Sequence, residues 1–485
     1  MVLYQLSYDP IRDDRNLKFR RRLSKLFRLN YAGNGWRRLK EAENVIEAAG
    51  QMWLASRVTQ TKPSLRLAFL THEPFYPPSG GGSAEAVYLV EEMVRRGHEV
   101  HVFCPQITDA EHVSKQFGIR LHLFNRWPMG RYARLRNFKY LAYPFFLERM
   151  VAEAARTTKF DVLVSQHAIS AVAAGGLKRK LGVPVVMNFP DLLTGFMETW
   201  PSHAAPRFLV SALIRYELSL PARRGVDGVL AISDHLAGLF AAHGYPRENI
   251  LPIYYGFAAE HFPLRTQLPE AGKPPVVVMH GSLDFHHLGD IAFHAMQHVT
   301  QVRPGVVFRF VGQRTGALET FLRRAETIAN FRFESTGFVP YAEVGKHLAD
   351  ASVGMVPYEE SIGTHCAFVA KVVEYVASGV PTVCTPLKSI QGYFGQDPMV
   401  RFSRFDGADL GERILSWLDE RPLNWQVGAA KSAARVRAEL DWGPLCRKAV
   451  DFIEMKSAEC GVGSAEKKTA NQPSLRSYGS AGIER

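Results

Sequence analysis

The sequence predicts an α/β protein made of two doubly wound, Rossmann-like domains facing a central cleft. Three observations lead there. Short apolar runs recur along the chain, bounded by turn residues and separated by helical segments, which is the pattern of parallel strands buried on both faces. The series occurs twice, and the break between them at Phe262–Pro274 is rich in Pro and Gly and lacks periodicity. A glycine loop, Gly80–Gly82, sits between the first strand and the first helix and completes a βαβ unit.

Residues 1–62 read as a basic amphipathic extension, with Leu23, Leu26, Phe27, Val45, Ile46 and Met52 at helical spacings. A polar linker near Thr59–Pro63 ends it. The first domain is expected over 63–262. Its strands are Leu65–Leu70, the run within Gly97–Cys104, Asp161–Ser165, Val183–Asn188 and Gly228–Ser233, and Ala84–Arg96 is its first helix. The second domain is expected over 263–430, with strands at Pro275–His280, Val307–Gly312, Phe331–Ser335, Val353–Pro357 and Pro381–Cys384. A helical segment over 431–456 follows. The remainder, 457–485, is rich in Ser, Gly, Ala and Lys and reads as a disordered tail.

The chain has 485 residues, 46% hydrophobic and 22% charged, an ordinary globular composition. No run reaches the roughly 18 apolar residues that span a bilayer, and the start shows no basic region followed by an apolar one. The five cysteines have neither metal nor disulfide spacing, which fits a reducing cytoplasm. The net charge of +12 implies an anionic partner. The excess gathers at Lys18–Arg28, at Arg131, Arg134, Arg136 and Lys139 among aromatics, and at Arg207, Arg215, Arg223 and Arg224 around the apolar stretch Phe208–Leu220. Basic residues beside aromatics suit an anionic membrane surface. They also occur on solvated helix faces. No nucleic-acid recognition module is visible, so nucleic acid is not expected as a partner.

Ala370–Cys384 carries the most chemistry. It reads as a short helix, then Gly379, then an apolar strand opened by Pro381. Lys371 and Glu374 are three apart and share a helix face. One cation for a phosphate and one carboxylate for a ribose diol suit a nucleotide-sugar pocket; a solvated Lys and Glu would give the same spacing. Gly82 lets backbone approach a ligand at a helix start, where an anion is favoured. The Gly-x-Gly-x-x-Gly spacing of dinucleotide sites is absent, and a plain flexible turn would look alike.

Taken in order, these features resemble the family 4-like (group 1) glycosyltransferases of GT-B fold over roughly residues 65–455. Leu67–Pro74, Pro77–Gly82 and Leu89–Val100 are similar to the family's opening. Ala231–Asp234, with Gly244, Tyr255 and Gly256, resembles the end of its acceptor domain. Gly337–Val339, Ala349–Ser352 and the Lys371/Glu374 helix resemble its donor domain. The resemblance implies that 63–262 binds the acceptor and 263–430 the donor, a nucleotide-diphosphate sugar, with no metal and no further cofactor. It places Glu374 on the ribose, Lys371 at the diphosphate, and Val339 at the base. Gly82, Gly281, Ser282, Gly363 and Thr364 would line the donor site, the last two through backbone amides. His167 and Asp191, each just after a strand end, would face the transferred sugar and the acceptor hydroxyl.

Two departures stand out. Cys366 occupies the position eight residues before Glu374 where the family usually has Glu. Ser282 follows Gly281 where an Arg is common, and Asp284–Leu288 lacks the usual lysine. Either Lys371 and a histidine such as His286 or His287 supply the missing cations, or the donor is bound unusually, or activity is lost. The implied activity is sugar transfer, with retention, to a lipid-linked or polysaccharide acceptor, by a cytoplasmic protein peripheral on the inner face of the cell membrane. The alternatives are a silent GT-B partner in a membrane assembly and a sugar-nucleotide epimerase.

Overall fold

The computed structural model describes residues 64–470 apart from 79–80, 126–137, 201, 203–204, 266, 268, 271 and 420–424. The expected extension at 1–62, with its Lys18–Arg28 cluster, lies outside the described residues. So do Gly80, Arg131, Arg134, Arg136 and the side chain of Lys139.

The chain runs β1 (Arg66–Thr71), α1 (Gly81–Arg95), β2 (Glu99–Pro105), α2 (Ala110–Phe117), β3 (Arg120–Phe124), α3 (Phe138–Ala154), β4 (Val162–Gln166), α4 (His167–Leu181), β5 (Val185–Phe189), α5 (Arg207–Arg224), β6 (Gly228–Ala231), α6 (Asp234–Ala242) and β7 (Ile250–Pro252). A short 3-10 turn, Leu193–Thr199, lies between β5 and α5. The second series is β8 (Val276–His280), α7 (Asp290–Val302), β9 (Val307–Val311), α8 (Gly316–Ala325), β10 (Arg332–Ser335), α9 (Tyr341–Leu348), β11 (Val353–Val356), α10 (Ile362–Cys366), α11 (Ala370–Ala377), β12 (Thr382–Cys384), α12 (Lys388–Phe394), β13 (Val400–Phe402) and α13 (Gly407–Asp419). Two helices close the chain, α14 (Trp425–Glu439) and α15 (Trp442–Ala470).

The first sheet has the order β3-β2-β1-β4-β5-β6-β7 and the second β10-β9-β8-β11-β12-β13, all parallel. The central strands β1, β4, β5 and β8 are Val-, Leu- and Phe-rich and buried on both faces, as helices on both sides of a sheet require. The strand order reverses between β1 and β4, and again between β8 and β11. Ligands of such sheets sit outside the carboxyl ends of the strands at that reversal. The register aligns those ends: Thr71 lies opposite Gln166, and His280 opposite Val311.

Three strands escape the sequence pattern: β3, β7 and β13. Each is a sheet edge, short and in part only half-buried, so it carries no continuous apolar run. The carboxyl-terminal segment also differs from expectation. The chain is helical through Ala470, well past the tail expected from 457. That helix is fastened to the first domain. Phe452 lies against Gly228, Lys456 Nζ donates to Asn249 Oδ1 at 2.8 Å and to Glu459 Oε2 at 2.9 Å, and Cys460 Sγ donates to Asp227 Oδ1 at 3.2 Å.

The chain therefore passes between the domains twice, and the two passages are bonded. Phe257 N donates to Leu440 O at 3.0 Å and Trp442 N to Phe257 O at 3.3 Å. A second seam joins Leu193–Thr199 to α10. A Cβ on Gly195 would stand 2.7 Å from Gly363 N, so two glycines let the backbones touch. Glu198 Oε2 accepts from Ile362 N at 2.8 Å, and Ser233 Oγ donates to Cys366 O at 2.7 Å.

Candidate active site

On the first domain, β4 delivers His167 to the carboxyl edge of the sheet. His167 opens α4 in the left-handed region, φ 66°, which is costly for a non-glycine residue. Its imidazole is buried. Nδ1 stands 3.6 Å from Asp191 Oδ1 and Nε2 3.9 Å from Glu73 Oε2. Among the described residues neither nitrogen has a hydrogen-bond partner. Gly82 is required here: a Cβ on it would lie 2.5 Å from His167 Nε2.

A buried amide network holds that approach. Gln166 Nε2 donates to Gly82 O at 2.8 Å, and Asn188 Nδ2 donates to Gln166 Oε1 at 2.8 Å and to Glu85 Oε1 at 3.0 Å. Burial pushes the Glu85 carboxyl up to about 7, against the lowering effect of Asn188 and His167. Burial alone would discharge His167. Asp191, Glu73 and Glu85 outweigh it and push the imidazole up to about 9. His167 is thus an imidazolium at neutral pH and a proton donor. An imidazolium has no ring lone pair to take the proton of an acceptor hydroxyl, so His167 in that state is not the base.

Asp191 is placed by the turn that follows it. The buried Glu217 carboxylate accepts from Leu193 N at 3.0 Å and from Thr194 N at 2.8 Å. Burial pushes Glu217 up to about 7.

On the second domain, β8 ends at His280 and the chain turns at Gly281, φ 99°. The Lys371 ammonium reaches this turn, 3.4 Å from where a Gly281 Cβ would stand. Lys371 and Glu374 lie on α11 as the sequence predicts, but both are buried and both have partners. Lys371 Nζ donates to His287 Nε2 at 3.0 Å and to Tyr358 OH at 3.3 Å. Burial lowers Lys371 to about 8, with Glu374 holding it up. His280 Nε2 pairs with Glu374 Oε2. Burial, with His286, Lys371 and His280 adding to it, holds His287 well below its ordinary value. His287 is therefore an acceptor for Lys371 and cannot be the substitute cation the sequence suggests.

Thr364 departs from expectation, and Gly363 sits against Gly195. Ser361 Oγ accepts from Thr364 N at 3.0 Å, and Glu198 caps Ile362. These residues build the interdomain seam, and the Thr364 amide is committed within it. Cys366 is buried there, its thiol pushed up by burial and so neutral; it offers no charge in place of a carboxylate. Ser282 is exposed and Val339 half-buried, two residues past the Gly312–Gly337 bridge. Among the described residues no group of three His, Cys, Asp or Glu is arranged to hold a metal ion.

The structure thus gathers His167, Asp191 and Gly82 at one strand edge and Gly281, Lys371 and Glu374 at the other. Sequence reasoning missed Glu73, Glu85, His280 and Tyr358. Glu85 alone left a signal, an acid within the apolar run Ala84–Val90 of α1.

Comparison with known proteins bears on the family and the fold. Residues 80–256 match the glycosyl transferase 4-like domain family and residues 274–420 the glycosyl transferases group 1 family. A GDP-mannose-dependent alpha-mannosyltransferase of Mycobacterium tuberculosis is 27% identical over 320 residues, 64% of this chain and 76% of that protein. The sucrose-phosphate synthase of Thermosynechococcus elongatus superposes with a TM-score of 0.66 at 14% identity, covering 81% of this chain and 100% of that one. Anabaena HepE in complex with UDP and glucose superposes with a TM-score of 0.60 at 15% identity, covering 80% and 99%. With both domains matched in order and the GT-B architecture in place, the chain belongs to the group 1 glycosyltransferases, enzymes that use nucleotide sugars.

Proposed function

We propose that this glycosyltransferase moves a sugar, with retention, from a nucleotide-diphosphate sugar to a lipid-linked or polysaccharide acceptor at the cytoplasmic face of the membrane. The observation that supports it most is the Lys371 ammonium held at the Gly281 turn beside Glu374. The bond from the sugar to the diphosphate breaks, and charge grows on the departing phosphate as an oxocarbenium-like sugar forms. Lys371 offsets that charge and Glu374 holds the ribose. Across the cleft His167 donates to the sugar, and the proton of the acceptor hydroxyl passes to Asp191 as the new glycosidic bond forms.

The test is incubation of the purified protein with membrane extract and a panel of labelled sugar nucleotides, GDP-mannose and UDP-glucose among them. Label should move from one donor into the lipid or polysaccharide fraction. Label released only to water, or into soluble small sugars, would overturn the acceptor class. Inversion at the anomeric carbon, read by proton NMR of the product, would overturn retention.

A further inference from the structure

The solvent face of α5 is cationic and aromatic and carries no acid of its own. The helix holds Arg207, Arg215, Arg223 and Arg224 and a single acid, Glu217, which is buried inward against Leu193 and Thr194. Phe208 is 79% exposed, and Leu209 and Tyr216 are exposed beside it. Arg207 and Arg215 flank them, and Arg223 lies over the Tyr216 ring at 5.6 Å. On α3, Leu141 is 79% and Phe145 63% exposed, with Phe146 next to them. Helix α4 packs between α3 and α5, so the three lie on one face of the first sheet.

Single exposed apolar residues are ordinary, but α3 exposing Leu141 in its first turn and α5 exposing Phe208 and Leu209 in its own, on the same face of one sheet, are not. Topology also fixes where those turns lie. Helices that cross over between parallel strands run opposite to them, so the first turns of α3 and α5 stand at the carboxyl edge of the sheet. His167 and Asp191 stand at that same edge. Arg207 Nη1 donates to Glu198 O at 3.1 Å, which ties the first turn of α5 to the segment that follows Asp191.

We propose that the outward faces of α3 and α5 form a docking surface for an anionic lipid bilayer, which sets the mouth of the acceptor half-site against the membrane. This rests on the reading of the acceptor as membrane-borne. The apolar side chains enter the headgroup boundary while the arginines contact lipid phosphates. No described helix is long and apolar enough to cross a membrane, so attachment through these helices is peripheral and weakens with salt.

The experiment is sedimentation of the full chain with vesicles of pure phosphatidylcholine and with vesicles carrying phosphatidylglycerol. Two variants remove the surface, Phe208→Ser with Arg215→Glu, and Leu141→Ser with Phe145→Ser. Arg404→Glu, the same charge change on the second domain, is the control. The chain should bind the anionic vesicles and release them in high salt. The α5 variant should bind about tenfold or more weakly, the α3 variant should also weaken, and the control should bind as the parent does. Nucleotide-sugar binding by calorimetry and the thermal midpoint should stay at parent values in every variant.

Equal binding by parent and α5 variant overturns the proposal, as does binding to neutral vesicles alone. Loss in Arg404→Glu equal to that in the α5 variant overturns it too, because net charge would then be the cause. Protection of the thiol in Phe208→Cys from a soluble thiol reagent without vesicles would mean that another part of the chain covers the face, and would also overturn it. If vesicle binding follows these variants while label moves only to a water-soluble acceptor, the docking surface stands and the acceptor assignment fails.

Discussion

After β4 the first domain surrounds one histidine with three carboxylates; after β8 the second surrounds one carboxylate with a lysine and two histidines. Both regions lie at the carboxyl ends of strands beside the reversal of strand order, yet their proton balances run opposite ways. Around His167, attraction by Asp191, Glu73 and Glu85 exceeds the burial penalty, and the charge is kept. Around Lys371, burial exceeds the single attraction of Glu374, and the charge is held only to about pH 8. The first region is balanced as it stands. The second is short of negative charge, and a bound diphosphate would supply it and raise Lys371 again. The donor, in this comparison, completes the electrostatics of its own site.

The strongest way to break the comparison is Glu374→Ala. Losing the carboxylate removes the hydrogen bonds proposed to the ribose and, among the described residues, the attraction that holds Lys371 up. The donor kcat/KM should fall by the equivalent of about 2–4 kcal/mol. Steady-state kinetics with the native donor test this, and unchanged kinetics would sink the ribose assignment. Next is Lys371→Met, which should lower kcat by about a hundredfold, since charge on the leaving group grows in the transition state. A drop confined to KM would move Lys371 from the reacting phosphate to plain binding.

Gly195→Ala should cost about 1–3 kcal/mol of the seam between the domains through overpacking. It should slow turnover while leaving the thermal midpoint of the protein nearly unchanged. Normal turnover would show that the contact with Gly363 is not part of the working state.

The smallest effect sharpens the comparison through pH. If Lys371 acts as a cation, kcat/KM for the donor should fall as pH rises through about 8, the value in the free protein. Glu374 raises Lys371, so Glu374→Gln should move that limb to lower pH. A limb that stays in place in the variant assigns it to another group.

The sequence was most legible where burial is complete. Strands β1, β4, β5 and β8 declare themselves because a strand covered on both faces must be apolar throughout. The edges β3, β7 and β13 do not, because their composition answers to solvent as well as to the core. Lys371 and Glu374 were readable as neighbours on one helix, since three-residue spacing is local. Their partners were not: His287 is 84 residues from Lys371 and His280 is 94 from Glu374. The same holds for Gly82, whose need for glycine is set by His167 in another element. The availability of the Thr364 amide was misjudged because a capping serine three residues upstream already takes it.

The last helix has a consequence for how the protein is made. Ala449, Val450 and Ile453 of α15 are buried, and the helix covers α1 and β6 of the first domain. Between Phe262 and Trp442 the whole second domain must be synthesised, which at about 5–20 residues per second takes roughly 9–36 s. During that interval the first domain is on the ribosome without its closing helix. The order of synthesis and the order of assembly differ, and the amino-terminal half cannot finish folding until the carboxyl-terminal half has been born.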